Sequence, residues 1–196
     1  MRRPLAGVAA PLLLALVLPG LSACTSLGST GDKGYISGDG SVRIIDEADR
    51  DDPVSFEGES LTGEPISSED YLGKVLVVNK WWSGCAPCRA EMPMLAEAAD
   101  ELGPNAGFLG INIRDSSAAN GLAFMETVGA DYPSLYDVQG KAVLAFAGKA
   151  PMSAIPTTVF LDDEGRIAAV IGGEVPSKQT VLDVVDEIAA GGTADG

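Results

Sequence analysis

Two cysteines separated by two residues, Cys85 and Cys88, lie between an apolar run and an amphipathic segment. The preceding run, residues 75–79, is apolar and mostly β-branched up to its last residue, Asn79, which is typical of a central strand buried on both faces. After Pro87, apolar residues recur at helical spacing until Gly103. The chain is therefore expected to turn from a buried strand directly into a helix, with Cys85 at the N-terminus of that helix.

This position predicts redox chemistry for the two cysteines. Unpaired N–H groups in the first helical turn stabilise an anion, so we expect the pKa of Cys85 to lie below the model value of about 8.5. Cys88 lies one turn further along and is suited to resolve a mixed disulfide. The alternative is a passive structural disulfide, but so short a loop constrains the unfolded chain little and stabilises it poorly.

Other chemistries are excluded by composition. Histidine is absent from the 196 residues, which removes the usual general base, the commonest transition-metal ligand and a Cys-His nucleophile pair. A c-type haem motif is excluded because Arg89 follows the second cysteine, where that motif needs histidine. Two thiolates alone cannot complete a four-coordinate zinc site. We therefore expect neither a metal nor a cofactor.

The chain is strongly acidic, with 28 acidic and 13 basic residues and a formal net charge of −15. Phosphate recognition needs a basic surface, so this charge argues against nucleic-acid binding. We interpret the acidic surface as a contribution to solubility, with an acidic docking patch as the alternative.

Residues 1–23 have the organisation of a secretory signal peptide. Two arginines precede an apolar stretch, residues 5–18, which is shorter than the roughly 20 residues that a spanning helix needs. The segment ends in Leu21-Ser22-Ala23-Cys24 and resembles the bacterial lipobox. This resemblance implies that Cys24 is lipidated and anchors the mature protein to the membrane surface. The alternative is a cleaved soluble protein in which Cys24 is incidental.

Four segments are predicted along the chain. Residues 1–23 form the signal peptide, and residues 24–53, rich in Gly, Ser, Asp and Thr without a hydrophobic period, form a flexible tether. Residues 54–190 form the folded domain, and residues 191–196 form a disordered tail.

The folded domain is predicted to be α/β. A β-hairpin within residues 54–66 precedes a capped helical turn at residues 67–73. The remaining expected elements are strands at 75–79, 108–113, 157–161 and 166–171, an extended piece at 132–136, and helices at 87–102, 118–128, 141–146 and from 178 onward. Strand-helix-strand followed by a hairpin and a helix predicts a mixed central sheet with helices on both faces.

Residues 54–190 resemble the thioredoxin-like superfamily and, more narrowly, the TlpA/ResA branch of exported, membrane-anchored thiol-disulfide oxidoreductases. Four segments carry the resemblance in order: the strand ending Val78-Asn79, the block Trp81-x-x-x-Cys85-x-Pro87-Cys88, the segment Arg89-x-Glu91-x-Pro93, and Ala154-Ile155-Pro156-Thr157-Thr158. The resemblance implies a thioredoxin-like fold with a redox-active disulfide at Cys85 and Cys88, and an inserted helical segment within residues 114–150.

The resemblance also implies roles for residues around the cysteines. Pro156 corresponds to the cis-proline that faces the two cysteines and helps position a bound partner chain. The expected substrate-binding surface consists of Trp82, Ala86, Pro87, Ile155 and Pro156. Trp81 is expected in the core.

Two positions depart from the family pattern. Gly84 stands where tryptophan usually precedes the first cysteine, which leaves partner specificity open. Asn79 stands where simple thioredoxins have a buried Asp, so that proton acceptor is missing. In the TlpA/ResA branch a carboxylate after the second core strand is thought to assist, and Asp115 occupies the corresponding place. We hypothesise that Asp115 helps to deprotonate Cys88; a surface Asp that caps the helix from Ala118 is the alternative.

The resemblance implies reduction of disulfides in exported proteins, such as apocytochrome c during cytochrome c maturation, with electrons from a membrane thiol-disulfide transporter. The missing histidine between the cysteines favours a reducing couple over an oxidising one. Two alternatives come from other classes. One is a peroxiredoxin-like peroxidase, although its Thr-x-x-Cys pattern is replaced by Trp82-Ser83-Gly84-Cys85. The other is a binding lipoprotein with an inert disulfide.

Overall fold

Apolar strands of the chain assemble into a mixed sheet in the computed structural model, which describes residues 42–191. The strands are β1 (Val42–Ile44), β2 (Glu57–Glu59), β3 (Pro65–Ser67), β4 (Val75–Trp81), β5 (Ala106–Asn112), β6 (Ser134–Tyr136), β7 (Thr157–Leu161) and β8 (Ile167–Gly172). The α-helices are α1 (Ala86–Leu102), α2 (Ala118–Val128), α3 (Lys141–Leu144) and α4 (Lys178–Ala189). Short 3-10 helices span Glu47–Asp49, Ser68–Tyr71 and Gly103–Asn105.

The main sheet has the strand order β1-β8-β7-β4-β5-β6. Strands β4, β5 and β6 run parallel to one another, and the other neighbours are antiparallel. The carboxyl ends of β4, β5 and β6 therefore meet at one edge of the sheet. Strands β2 and β3 form a separate antiparallel pair, which is the predicted N-terminal hairpin with its strands shifted along the chain.

Helices cover both faces of the main sheet, as predicted. The side chains of Val75 and Val77 pack with α1 and α4 on one face. Leu76 and Val78 point to the other face, where they pack with Phe146 in the segment that follows α3. Because β4 is buried on both faces, its sequence shows a continuous apolar run rather than an alternation.

The segment predicted to hold the insertion, residues 114–150, contains α2, β6 and α3. Strand β6 pairs with β5 and forms one edge of the main sheet. The segment therefore supplies helices, as predicted, and an edge strand as well.

Residues 42–53 correct the predicted tether. Strand β1 pairs antiparallel with β8, and the side chains of Val42 and Ile44 are buried. Further along, Arg50 forms a buried ion pair of 3.1 Å with Asp162. The prediction that the folded domain starts at residue 54 is therefore wrong. Three residues of alternation within a Gly/Asp-rich stretch give no periodic signal, and β1 is held by its pairing with β8.

Several predictions concern residues outside the described range of 42–191. These are the signal peptide, the lipid anchor at Cys24, the tether up to residue 41 and the tail from residue 192. Within the described range, no helix combines the length and the apolar character needed to cross a membrane.

Candidate active site

The two cysteines lie where β4 turns into α1. Cys85 is the N-cap residue of α1, and Cys88 lies in its first turn. The two sulfur atoms form a disulfide, and the backbone N–H of Cys88 donates to the Cys85 sulfur at 3.2 Å. Cys85 is 7% exposed and Cys88 is fully buried. Of the two cysteines, Cys85 thus keeps the small remaining exposure and Cys88 has none, an asymmetry in the order expected for an attacking and a resolving thiol.

The loop before Cys85 explains the glycine at position 84. The indole ring of Trp82 lies so close that a Cβ atom at residue 84 would be 2.2 Å from it. Any other residue at this position would displace the ring. Trp82 is half-buried and packs against the cluster that contains both cysteines. The departure from the family pattern thus places the indole of Trp82, instead of a side chain at residue 84, beside the first cysteine.

Trp81, by contrast, belongs to the core, as predicted. Its side chain is fully buried, its indole N–H donates to Ser134 Oγ at 3.0 Å, and its ring packs against Phe124.

Asp115 is buried and holds the loop that precedes Cys85. Its carboxylate accepts hydrogen bonds from the backbone N–H of Ser83 at 3.0 Å, from the Ser83 hydroxyl and from Asn112 Nδ2 at 2.6 Å. The alternative of a surface Asp that caps α2 is wrong, because Ser117 caps that helix. The proton-accepting role of Asp115 stays a prediction.

Glu91 is a buried carboxyl group to which the sequence analysis assigned no role. Its side chain is 0% exposed, Asn79 Nδ2 donates to Oε1 at 2.8 Å, and the backbone N–H of Val175 donates to Oε2 at 2.8 Å. Burial raises the pKa of Glu91 to about 7, against the opposing effect of these two hydrogen bonds. Glu91 lies three residues after Cys88 on α1, so both side chains are on the same side of the helix.

A signal for Glu91 was nevertheless present in the sequence. Glu91 falls between Cys88 and Met92 on the apolar side of the predicted helix, where a charged residue is rarely buried without a partner. The partner is Asn79, the first polar residue after the apolar run of the central strand. In the structure, α1 therefore supplies a carboxyl group beside the strand position where simple thioredoxins have their Asp.

The segment before β7 contains the predicted cis-proline. The Ile155–Pro156 peptide bond is cis, and Pro156 is buried. Ile155 is half-buried and packs against the cluster that contains both cysteines. The carbonyl of Pro156 accepts from the backbone N–H of Gly173 at 3.1 Å, and Thr157 Oγ1 donates to the carbonyl of Ala154 at 2.8 Å. These two hydrogen bonds hold the backbone of the proline segment at Ala154 and at Pro156.

A buried lysine on β4 contacts the chain just before the cis-proline segment. Lys80 is 3% exposed, and its ammonium group donates to the carbonyl of Met152. Burial, and to a smaller extent the positive charge of Arg114, lowers the pKa of Lys80.

The residues predicted to bind substrate differ in their exposure. Ala86 is exposed, Trp82, Pro87 and Ile155 are half-buried, and Pro156 is buried. Trp82 and Ile155 both pack against the cluster of the two cysteines, and Ala86 and Pro87 lie between the cysteines in the chain. The structure thus places Trp82 and Ile155 of the predicted surface against the cysteine cluster, and their role in binding substrate stays a prediction.

Comparisons with known proteins agree with this geometry. Residues 50–170 match the model of the AhpC/TSA family. A crystal structure of a DsbF homologue from Corynebacterium diphtheriae superposes with a TM-score of 0.68 at 36% identity, covering 80% of this chain and 99% of that one. A secreted thiol-disulfide isomerase from Corynebacterium glutamicum gives a TM-score of 0.67 at 36% identity, covering 80% and 97%.

A sequence relative has a related name. The thiol-disulfide oxidoreductase ResA of Bacillus thuringiensis is 28% identical over 171 residues, which is 85% of this chain and 91% of the relative.

Proposed function

The chain belongs to the AhpC/TSA family and is a thioredoxin-like thiol-disulfide oxidoreductase, and from this we propose that it reduces disulfides of exported proteins at the outer face of the bacterial cell membrane. The observation that carries the proposal is the asymmetric cysteine pair at the start of α1, in which Cys85 is 7% exposed and Cys88 is fully buried.

The reaction moves two electrons from the protein to the substrate. The Cys85 thiolate attacks one sulfur of a substrate disulfide, which forms a mixed disulfide and releases the other substrate sulfur as a thiolate. The Cys88 thiolate then attacks the Cys85 sulfur and releases the second substrate thiolate. The substrate gains two electrons and ends as a dithiol, and the protein ends with the Cys85–Cys88 disulfide. A two-electron thiol donor must reduce this disulfide before the next cycle.

The thiol of Cys88 must lose a proton before it resolves the mixed disulfide. Glu91 lies one helical turn away on the same side of α1, and its pKa of about 7 suits a group that exchanges a proton at neutral pH. Asp115 is the second candidate, through the loop that it holds at Ser83. We propose Glu91 as the proton acceptor and Asp115 as a residue that positions the loop; the alternative is the role predicted from the sequence, in which Asp115 accepts the proton of Cys88.

The substrate chain is proposed to bind across the surface formed by Trp82, Ala86, Pro87, Ile155 and Pro156. Backbone next to the cis-proline and apolar side chains next to Cys85 would hold the segment that flanks the substrate disulfide. Backbone and apolar contacts of this kind discriminate little between substrate sequences. Specificity for particular substrate proteins must therefore come from side chains around this surface.

The proposed location rests on the N-terminal segment. The signal-like residues 1–23 and the lipobox-like Cys24 imply export and a lipid anchor at the extracytoplasmic face. One similar protein, from Corynebacterium glutamicum, is described as secreted. The resemblance to the TlpA/ResA branch suggests apocytochrome c as one substrate and a membrane thiol-disulfide transporter as the electron donor.

Trapping tests the function directly. A Cys88→Ala variant cannot resolve, so it should accumulate mixed disulfides through Cys85 with exported proteins, which mass spectrometry identifies. The matched Cys85→Ala variant should accumulate none. Equal trapping by both variants, or none by Cys88→Ala, would contradict the assignment of the attacking thiol.

Two further measurements address direction and the alternatives. The reduction potential of the pair should lie near the thioredoxin end, about −270 mV; a value near −120 mV would identify an oxidant. The reduced protein should consume hydrogen peroxide no faster than a Cys85→Ala control, because a peroxidase would require rapid turnover at that sulfur. A disulfide that resists thioredoxin-strength reductants would instead indicate a binding lipoprotein.

A further inference from the structure

Two exposed arginines flank the loop that leads to Cys85. The guanidinium carbon of Arg89 lies 4.6 Å from the centre of the Phe124 ring, and its Nη1 donates to the carbonyl of Ser83 at 3.1 Å. The guanidinium carbon of Arg114 lies 5.8 Å from the centre of the Trp82 ring. Stacking on a ring fixes the position of a guanidinium group and leaves its N–H donors free for a ligand. Both cations are thus held in place beside the site.

Neither arginine has an acidic partner within residues 42–191. The chain has 28 acidic and 13 basic residues. Other cations do pair with acidic groups: Arg166 contacts Asp162 at 2.8 Å, and Lys178 contacts Glu101 at 2.9 Å.

The acidic groups near the loop do not neutralise the two arginines. Asp115 is buried and already accepts three hydrogen bonds from Ser83 and Asn112. Glu91 is buried in the core and accepts hydrogen bonds from Asn79 and from the backbone of Val175. The exposed Glu174 follows Gly173, whose backbone N–H donates to the carbonyl of Pro156, and forms no ion pair with Arg89 or Arg114. The chain from residue 71 to residue 90 contains no acidic residue. The loop that leads to Cys85 is therefore flanked by two cations and has no acidic residue of its own, on a molecule that is negative as a whole.

We propose that Arg89 and Arg114 bind carboxylate groups in the polypeptide segment that flanks the disulfide of a substrate protein. The inference rests on the proposed function and deepens it by naming the substrate class: exported proteins with acidic residues next to the reactive cysteine. Guanidinium groups bind carboxylates through paired N–H donors, and Trp82 offers an apolar surface between the two charges. The remaining acidic surface would repel such a segment elsewhere, so it directs the segment to this one position.

A pair of matched peptides tests the inference. Each contains one intramolecular disulfide, and they differ only in two residues beside one cysteine, Asp in the first peptide and Asn in the second. The reduced full-length protein should reduce the Asp peptide about tenfold faster at low ionic strength, and this ratio should approach one at about 0.5 M salt. The readout is the ratio of the two rate constants, in which any general effect on Cys85 cancels.

Variants locate the effect. In the double variant Arg89→Gln/Arg114→Gln the ratio should fall to about one. The control is Lys74→Gln, because Lys74 also lies over an aromatic ring, that of Tyr71, at 5.5 Å. Lys74 precedes β4, and a strand of this length separates it from the site by roughly 20 Å. Lys74→Gln should therefore keep the ratio of the unaltered protein.

The possible results separate this inference from the proposed function. A ratio near one in the unaltered protein, or a tenfold ratio that persists in the double variant, would overturn the inference alone. Failure to reduce either peptide or the uncharged 2-hydroxyethyl disulfide would overturn both. Binding to phosphatidylglycerol vesicles that the double variant loses, together with a peptide ratio near one, would assign the arginines to the membrane surface instead.

Discussion

Polar side chains in the core distinguish the surroundings of Cys88 from the rest of the molecule. Glu91 and Asn79 are bonded to each other inside the core, and Asn79 Nδ2 also donates to Thr158 Oγ1 at 3.0 Å. Burying a carboxyl group favours its neutral form, which is why the pKa of Glu91 is raised. A site that must exchange a proton near neutral pH gains from this shift, and the folded state loses stability through it.

Replacement of Glu91 by glutamine should alter how stability depends on pH. The pKa of Glu91 rises from 4.5 to about 7 on folding, so well below pH 4.5 the carboxyl group is protonated in both states and does not destabilise the fold. As the pH rises to 7 the unfolded state ionises first, and the free energy of unfolding should fall by about 3 kcal/mol through this group. Glu91→Gln should lack that decrease, measured by urea unfolding at several pH values.

The control for this experiment lies on the same helix. Glu97 has an exposed side chain near Lys178, and Glu97→Gln should keep the pH dependence of the unaltered protein. Identical pH dependence in Glu91→Gln and the unaltered protein would contradict the buried, raised-pKa carboxyl group.

Asp115 and Ser83 permit a test of positioning against proton transfer. If Asp115 acts only by holding the loop at Ser83, then Asp115→Asn and Ser83→Ala should slow resolution of the mixed disulfide by similar factors at every pH. If Asp115 accepts the proton of Cys88, only Asp115→Asn should change the shape of the pH profile. Stopped-flow measurement of both rates between pH 5 and pH 9 decides, and an unchanged rate in Asp115→Asn would remove both roles.

At the scale of the elements, short strands with little sequence signal complete the sheet. Strand β1 covers the free edge of β8, and Val42 and Ile44 join the core that β4, α1 and α4 share. Elements with a strong periodic pattern were predicted closely: α2 at residues 118–128 and β7 at residues 157–161 have the expected bounds. Strand β1 was missed because its pairing partner lies more than a hundred residues away in the chain.

Truncation of a buried side chain tests the place of β1 in the domain. Ile44→Ala should lower the free energy of unfolding by about 2–3 kcal/mol, because it removes apolar contacts and leaves a cavity. The control is Leu144→Ala on α3, which removes a similar volume from a side chain that is 70% exposed and should change stability by less than about 0.5 kcal/mol. Chemical unfolding measures both. If both variants changed the free energy of unfolding by equally small amounts, residues 42–44 would contribute no stability, as expected of a flexible tether.

For the molecule as a whole, the chain combines an acidic surface with a redox site at one edge of the sheet. The carboxyl ends of β4 and β5 position Cys85, Ser83 and Asp115 there, and the segment before β7 brings Pro156 to the same place. The formal charge of −15 keeps the surface negative, with the two ring-stacked arginines as a local exception.

The proposed membrane anchor is tested on the full-length protein. Cells grown with labelled palmitate should incorporate label into the unaltered protein, and Cys24→Ser should abolish that incorporation and release the protein from the membrane fraction. Cys85→Ser is the matched control and should retain the label, because its thiol serves redox chemistry. Label that persists in Cys24→Ser would contradict the lipobox interpretation.

The sequence by itself determined the order of the elements from β2 onward and the position of Cys85 at a helix N-terminus, since these follow from local periodicity and capping, and the resemblance to a known family indicated the cis-proline segment. The sequence assigned no role to Glu91, and it did not predict which residues Asp115 contacts. Only the tertiary structure decided that Asn79 on β4 meets Glu91 on α1, that Asp115 holds the loop at Ser83, and that β1 closes the sheet. These contacts join residues distant in the chain, and whether a buried polar group has a partner depends on packing across elements rather than on neighbouring residues.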